Sequence, residues 1–259
     1  MKLIEINNIT YGYSSEPVLK NISISFNTGK IVSLLGANGS GKTTLLKILL
    51  GLYKPQAGQV FLEGKSVSEI PAKQLARRIA YVPQVHRLSF GYRVIDIVLM
   101  GRLAHKPFFF KYGDRDEEAA ISALERLSIS HLKDRPYTEI SGGERQMVLI
   151  ARALAQEADI FIMDEPVNGL DYGNQIRILA QIADLARSGY TFIKTTHFPD
   201  HALWISDRVI MIKKGQVIGD GPPKEVVNRK NLYQAYNTNV DVIELNDGGR
   251  TCVQEELKP

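Results

Sequence analysis

Residues Gly36-Ala37-Asn38-Gly39-Ser40-Gly41-Lys42-Thr43 fit the spacing G-x-x-x-x-G-K-[ST]. Glycines at 36, 39 and 41 let the backbone bend until successive N–H groups point inward and make an anion-sized nest. Lys42 supplies a point charge for the β- and γ-phosphates of a nucleotide, and the Thr43 hydroxyl suits a Mg²⁺ ion. Further along, Asp164-Glu165 puts two adjacent carboxylates at the end of an apolar run, which is costly unless a cation or a proton transfer uses them. His197 also ends an apolar stretch, and Gln84 follows one with a proline between. The loop points to nucleotide binding and by itself does not say which P-loop family carries it.

Each group needs a strand or helix to hold it. Ile31-Val32-Ser33-Leu34-Leu35 reads as a buried strand entering the glycine loop, and Lys42 to Leu50 as a helix leaving it, with Gly51 as its stop. That helix adds the partial positive charge of its N-terminus under the phosphates. Ile160–Glu165, an apolar strand ending in the two carboxylates, and Phe192–Thr195 read as buried strands of the parallel kind, whose carboxyl ends are where ligands sit. Apolar and polar residues alternate between 3 and 31, predicting two strands of a small antiparallel sheet, with Tyr11-Gly12-Tyr13 on the connecting loop. Either tyrosine offers a ring face to an adenine.

Residues 87–157 change character. Val94–Met100 is apolar, and a helix is expected to start at Asp114 with Glu117 completing a capping box. A second helix starts at Ser141-Gly142-Gly143-Glu144, with Ser141 as cap and Glu144 at its third position, and Met147, Ile150, Ala151 and Leu154 on one face. The glycine pair is not needed for capping but suits a helix end that a phosphate approaches closely. Phe108-Phe109-Phe110 is either core or a docking surface, with core preferred. Further hairpins are expected around Lys213-Lys214-Gly215 and Asn246-Asp247-Gly248-Gly249.

The chain has 259 residues, 44% of them hydrophobic and 23% charged, ample for a core. Net charge is +4 and the pI about 9.0. The Lys and Arg residues are scattered, which fits a solvated surface better than nucleic-acid binding and also suits a place near an anionic membrane leaflet. A single cysteine, Cys252, excludes an internal disulfide and a cysteine metal cluster. The N-terminus lacks the apolar run of a signal peptide, and no segment approaches the ~18 apolar residues of a membrane span. The expectation is a soluble cytosolic chain; if it serves a membrane process, another protein crosses the bilayer.

In order and spacing these pieces resemble the ATP-binding subunit of ABC transporters over nearly the whole chain. Gly36–Thr43, followed by Thr44, resembles Walker A, and Gln84 the Q-loop glutamine. Ile140-Ser141-Gly142-Gly143-Glu144-Arg145-Gln146 resembles the signature, and Ile160–Glu165 resembles Walker B with its catalytic glutamate. Asn168-Gly169-Leu170-Asp171 resembles the D-loop, His197 the switch histidine, and Tyr13 the adenine-stacking aromatic. Glu144 stands where the family usually has Gln; it can accept but not donate, and its charge lies near phosphates, so altered nucleotide affinity is expected. Val167-Asn168 replaces the usual Thr-Ser. The stretch Val94–Arg102, the arm Lys106–Asp116 and the Asp247-Gly248 tail resemble importers of metal chelates: iron–siderophore, haem, cobalamin and related molybdate systems.

The resemblance implies an α/β fold: a RecA-like P-loop NTPase core with a mostly parallel sheet, an N-terminal antiparallel β-subdomain and an inserted helical subdomain. The ATPase domain is expected over 1–235, with the helical part at about 87–157, and a hairpin extension over 236–259. ATP and Mg²⁺ are the implied cofactors. Lys42, Thr43 and Asp164 would manage charge and metal, Gln84 would touch metal or water, Glu165 would polarise the water and His197 would contact the γ-phosphate. Two copies are expected head to tail, each ATP lying between one Walker A and the partner's Ser141 and Gly143, with Asp171 crossing the interface. A separate membrane permease and, indirectly, a substrate-binding protein complete the expected assembly, at the cytoplasmic face of the cell membrane. Export is the nearest alternative. A soluble ABC ATPase acting on DNA or ribosomes is less favoured, because only residues 44–140 separate Walker A from the signature and the chain carries one set of motifs. The signature disfavours a small-molecule kinase.

Overall fold

The computed structural model describes residues 2–84, 91–107, 110–246 and 248–254. They form two compact units: Met1–Ile70 with Ala186–Pro259, and Pro71–Leu185.

In the first unit, β1 (Lys2–Tyr11) and β2 (Leu19–Asn27) pair antiparallel. The alternation that buries Ile4 and Ile6 would expose Ile9, yet Ile9 is buried opposite Ile22. A bulge resolves the conflict: Asn8 adopts φ 52°, the register shifts between Ile6 and Ile9, and Ser23 Oγ accepts the Asn8 N–H at 2.9 Å. After β3 (Ile31–Leu35) and α1 (Lys42–Leu49), β4 (Ala57–Leu62) and β5 (Lys65–Ser66) complete an antiparallel sheet of order β2-β1-β4-β5.

The second unit begins with α2 (Ala72–Ala76) and β6 (Ile79–Val82), followed by α3 (Val94–Leu99) and a 3₁₀ run, Met100–His105. Helices α4 (Asp114–Arg126) and α5 (Gly142–Ala155) pack with α3. Strand β7 (Ile160–Met163) pairs parallel with β6, and α6 (Tyr172–Arg187) runs to the unit's boundary. Gly101 is required where the 3₁₀ run meets α5, because an added Cβ would lie 2.2 Å from the Arg152 carbonyl oxygen.

The chain then returns to the first unit with β8 (Thr191–Thr196), α7 (Pro199–Ile205), β9 (Arg208–Lys213) and β10 (Gln216–Gly221). Within this unit β3 lies between β8 and β9, parallel to both, and β10 pairs antiparallel with β9. Helices α8 (Pro223–Val226) and α9 (Arg229–Tyr236) and the antiparallel pair β11 (Val240–Glu244) and β12 (Arg250–Gln254) end the described chain. Parallel strands linked by helices, beside an antiparallel N-terminal sheet, make the α/β class expected above. Among the described residues no helix is long and apolar enough to cross a membrane.

Three local expectations change. The start of α4 is capped one residue earlier than expected: Gly113 precedes the helix and its N–H donates to Asp116 Oδ2 at 2.9 Å, so Asp116, not Glu117, closes the box. Asp116 is spoken for because it is buried between Arg102 and Lys106. Burial would raise its pKa, but the Lys106 bond, the Gly113 N–H and Arg102 hold it down to about 2. Second, α5 is buried well beyond the single face read from its periodicity, including Val148, Leu149 and Ala153. Third, Phe110 is 38% exposed and meets Tyr112 edge-on at 5.2 Å, whereas Phe108 and Phe109 lie outside the described residues, as does Asp247.

One core residue was read only as part of an apolar strand. Lys194, in the middle of β8 opposite Ser33, is 1% exposed. Burial pushes its pKa from 10.5 down to about 7. Between those two pH values the unfolded chain holds a proton that the folded chain does not, so this group makes stability rise with pH there. Lys194→Met should therefore raise the melting temperature at pH 7 by several degrees. It should also flatten the increase seen on going to pH 10 in the parent; an unchanged slope would show that Lys194 is not the group responsible.

Candidate functional site

The glycine loop is shaped by close approach. Gly39 and Gly41 have φ 76° and 106°, and Gly41 directly precedes α1. A Cβ on Gly36 would sit 2.3 Å from the Ile212 carbonyl oxygen, and one on Gly41 would sit 2.8 Å from the Leu19 side chain. The turn after β9 fastens the loop from outside: the Gly215 N–H donates to the Ser40 carbonyl at 3.0 Å, and the Gly215 carbonyl accepts the Lys20 N–H at 2.8 Å. Lys42 is buried and its Nζ donates to the carbonyls of Gly36 and Ala37 at 2.7 and 3.0 Å, spanning the loop it serves. Ser40 Oγ is buried with no hydrogen-bond partner among the described residues. An orphan hydroxyl in a cradle of glycines fits a phosphate oxygen as its missing partner.

Tyr13 is fixed at both ends. Its hydroxyl lies 3.1 Å from Thr44 Oγ1, and its ring meets Tyr11 and Tyr53 edge-on at 5.3 and 5.8 Å. Tyr11 and Tyr53 stack on each other, 7° from parallel, with Lys47 Nζ 5.2 Å from the Tyr53 ring centre. Of the two tyrosines left open by the sequence, Tyr11 is thus engaged in the stack, while Tyr13 is 61% exposed. Tyr53 was not anticipated; it stands in a loop after α1 with no spacing that ties it to Tyr11.

Strand register brings the remaining groups out in pairs. In the first unit Leu35 pairs with Thr196, so the glycine loop and His197 leave adjacent parallel strands at the same end. In the second unit Val82 pairs with Met163, so Pro83-Gln84 and Asp164-Glu165 do the same. There Gln84 Nε2 donates to Glu165 Oε2 at 3.3 Å. Asp164 is buried and its N–H extends the ladder to the Val82 carbonyl at 2.9 Å. Tyr81, half-buried on β6, is pushed up to about 12 by burial and by the Asp164 charge. Glu165 has φ 45°, the left-handed region that non-glycine residues avoid.

The second unit also holds the signature residues. Ser141 caps α5 as expected: the Glu144 N–H donates to its Oγ at 3.3 Å, and Glu144 Oε2 accepts the Ser141 N–H and hydroxyl at 2.8 and 2.7 Å. Those two bonds hold the Glu144 carboxyl below the usual range, with smaller help from Arg135 and His131. The Ser141 hydroxyl proton is therefore committed to Glu144. Gly143 is packed against Asn174: an added Cβ would lie 2.4 Å from its amide carbon. Asn174 in turn gives its backbone N–H to Asp171 Oδ1 at 2.9 Å and its side-chain amide to Oδ2 at 2.5 Å, which lowers the Asp171 pKa. Asp171 thus caps α6 and, through Asn174, touches the glycine pair of the signature. Asn174 was missed by sequence reasoning, although Asp171 three residues ahead of it at a helix start is a capping signal.

The ABC transporter family matches residues 19–168. An uncharacterized ABC transporter ATP-binding protein of Haemophilus influenzae is 40% identical over 241 residues, covering 93% of this chain and 92% of its own. The molybdate import ATP-binding protein MolC of the same species is 36% identical over 238 residues, covering 91% and 88%. The ferric enterobactin transport ATP-binding protein FepC of Escherichia coli is 33% identical over 237 residues, again covering 91% and 88%. Among solved structures, an inward-facing transporter described as of the metal-chelate type superposes with a TM-score of 0.87 at 31% identity, over 98% of this chain and 97% of that one. The matched span holds the phosphate loop, both carboxylates and the signature in family order, and the chain therefore belongs to the ABC transporter family, as one of the ATP-binding subunits that hydrolyse ATP to drive transport.

Proposed function

We propose that this chain powers an importer of metal chelates or metal oxyanions, working as a head-to-tail homodimer beneath a separate permease at the cytoplasmic face of the membrane. The observation that carries the catalytic part is the pairing of strand ends, Leu35 with Thr196 and Val82 with Met163, which delivers the loop, His197, Gln84 and Glu165 from carboxyl ends of parallel strands. The importer part rests on relatives whose names specify molybdate and ferric enterobactin and on the metal-chelate transporter. A substrate-binding protein would then present the cargo on the other side of the membrane.

In this reading Lys42 and the loop N–H groups hold the β- and γ-phosphates, Tyr13 stacks on the adenine and Thr44 orients Tyr13. Glu165 polarises the attacking water, Gln84 positions Glu165, and His197 contacts the γ-phosphate. The donors suit a Mg²⁺ that arrives with its triphosphate: the Thr43 hydroxyl, the Asp164 carboxylate and the Gln84 amide. No group of three or more acidic, His or Cys side chains among the described residues forms a cage of its own. When bound, such an ion would neutralise charge on the phosphate oxygens. Ser141 and Gly143 of each copy would close on the ATP of the other, with Asp171 at the same interface.

Glu165→Gln should leave ATP affinity within about threefold of the parent and lower turnover at least ~100-fold, about the loss of one transition-state contact of 2.7 kcal/mol or more. It should also trap an ATP-dependent dimer visible by light scattering; parental turnover in this variant would remove Glu165 from the mechanism. Glu144→Gln deletes a negative charge and allows the Ser141 hydroxyl to turn to a phosphate. The ATP concentration at half-maximal dimerisation should fall about 3- to 10-fold, and a rise instead would mean that the Glu144 bond to Ser141 supports the interface. The transport reading is tested by co-purification: a permease that raises ATP turnover when a loaded binding protein is added supports it, and stimulation by an exported compound overturns it.

A further inference from the structure

The segment that follows the family-matched region ends in α9 and the β11–β12 pair, and it is bonded to the switch-histidine loop at two separate points. Tyr236, the last residue of α9, donates its hydroxyl to the main-chain carbonyl of His197 at 3.1 Å. Three residues beyond His197, Asp200 Oδ1 accepts both the Thr251 hydroxyl at 3.0 Å and the Cys252 N–H at 2.8 Å, from the middle of β12. The loop between them is short and already tight: Thr196 Oγ1 accepts the Phe198 N–H at 3.1 Å, and Pro199 opens α7. One end of this turn is set by β8, and two further hydrogen-bonded attachments come from the C-terminal segment.

That segment is itself seated firmly. Leu232 and Ala235 of α9, with Val226 and Val227, bury against Leu35, Ala202 and Met211, and Tyr236, Val242 and Cys252 pack on the same cluster. Leu35 is the residue before the phosphate loop, so one apolar cluster underlies both the loop and the strap. Lys213 Nζ binds the Gln234 carbonyl, and Arg229 joins α9 to β11 through Asp241 at 3.1 Å. Burial and the Asp200 charge push the Cys252 thiol up to about 12, so it stays a neutral filler between the strap and α7.

We propose that residues 229–254 act as a strap that sets the position of the His197 imidazole, with Tyr236 as the positioning residue and the Asp200–β12 bonds as the second anchor. This rests on the catalytic reading of His197 given above. A carbonyl held by a half-buried hydroxyl cannot rotate its peptide plane freely, and the neighbouring χ1 of His197 inherits that restriction. The strap acts on geometry rather than on nucleotide capture, because neither Tyr236 nor Asp200 belongs to the phosphate loop or the aromatic cluster.

The test uses the purified 259-residue chain and five variants. Tyr236→Phe should lower kcat for ATP about 5- to 10-fold with KM within twofold and a melting temperature within about 2 °C. Asp200→Ala should lower kcat comparably, and Asp200→Asn, whose amide oxygen still accepts both bonds, should restore it. In a His197→Ala background, Tyr236→Phe should cause no further loss; a multiplicative loss there, or parental kcat in Tyr236→Phe alone, overturns the strap. A His197→Ala variant with parental kcat would instead overturn the catalytic reading of His197. The strap is then judged on the ¹H–¹³C imidazole signal of His197, which Tyr236→Phe should displace or broaden and which would stay unmoved if Tyr236 has only a packing role.

Discussion

Everything chemical in this chain depends on where parallel strands end together. Leu35 and Thr196 are register partners, as are Val82 and Met163. A backbone ladder fixes that coincidence to within one residue, since slipping by one would flip every side chain across the sheet. The placing of the phosphate loop and the histidine, and of the glutamine and the carboxylates, follows from hydrogen bonding among the strand residues that precede them. Ile31–Leu35 and Ile160–Met163 are buried throughout, as parallel strands covered on both faces are.

Around that frame, glycines let distant segments approach closely. Gly36 lies against Ile212, Gly215 against Val18 and Gly143 against Asn174. The first two contacts are with backbone atoms and exclude even a methyl group, while Gly143, in α5, abuts the Asn174 side chain; each joins segments far apart in sequence. The coupling of Gly143 to Asp171 through Asn174 is the most consequential, because it makes two motifs of the second unit into one packed object.

Much of this was legible beforehand for a physical reason. The phosphate loop, the Ser141–Glu144 box and the strand-end carboxylates are local in sequence, and local geometry follows from residue type at short spacing. What was illegible is long-range or depends on burial. Nothing near Lys194 says that a lysine in an apolar strand will be enclosed rather than end the strand. The α4 cap falls at Asp116 rather than Glu117, on a buried carboxylate that also meets Arg102 and Lys106, ten or more residues upstream. Tyr53 reaches Tyr11 only because the N-terminal sheet folds beside α1, and Tyr236 reaches His197 across 39 residues. The bulge at Asn8 is an intermediate case, since the spacing of Ile6 and Ile9 breaks the alternation visibly but does not say which strand yields.

The backbone of Glu165 carries a consequence of its own. At φ 45° this residue occupies a conformation in which glycine would be more comfortable, and the discomfort of a side chain there is on the order of 1 kcal/mol or more. In the proposed reading, where Glu165 polarises the attacking water, glycine at this position would relax the backbone and remove the carboxylate, so screens that reward heat resistance alone would drift toward catalytically silent protein.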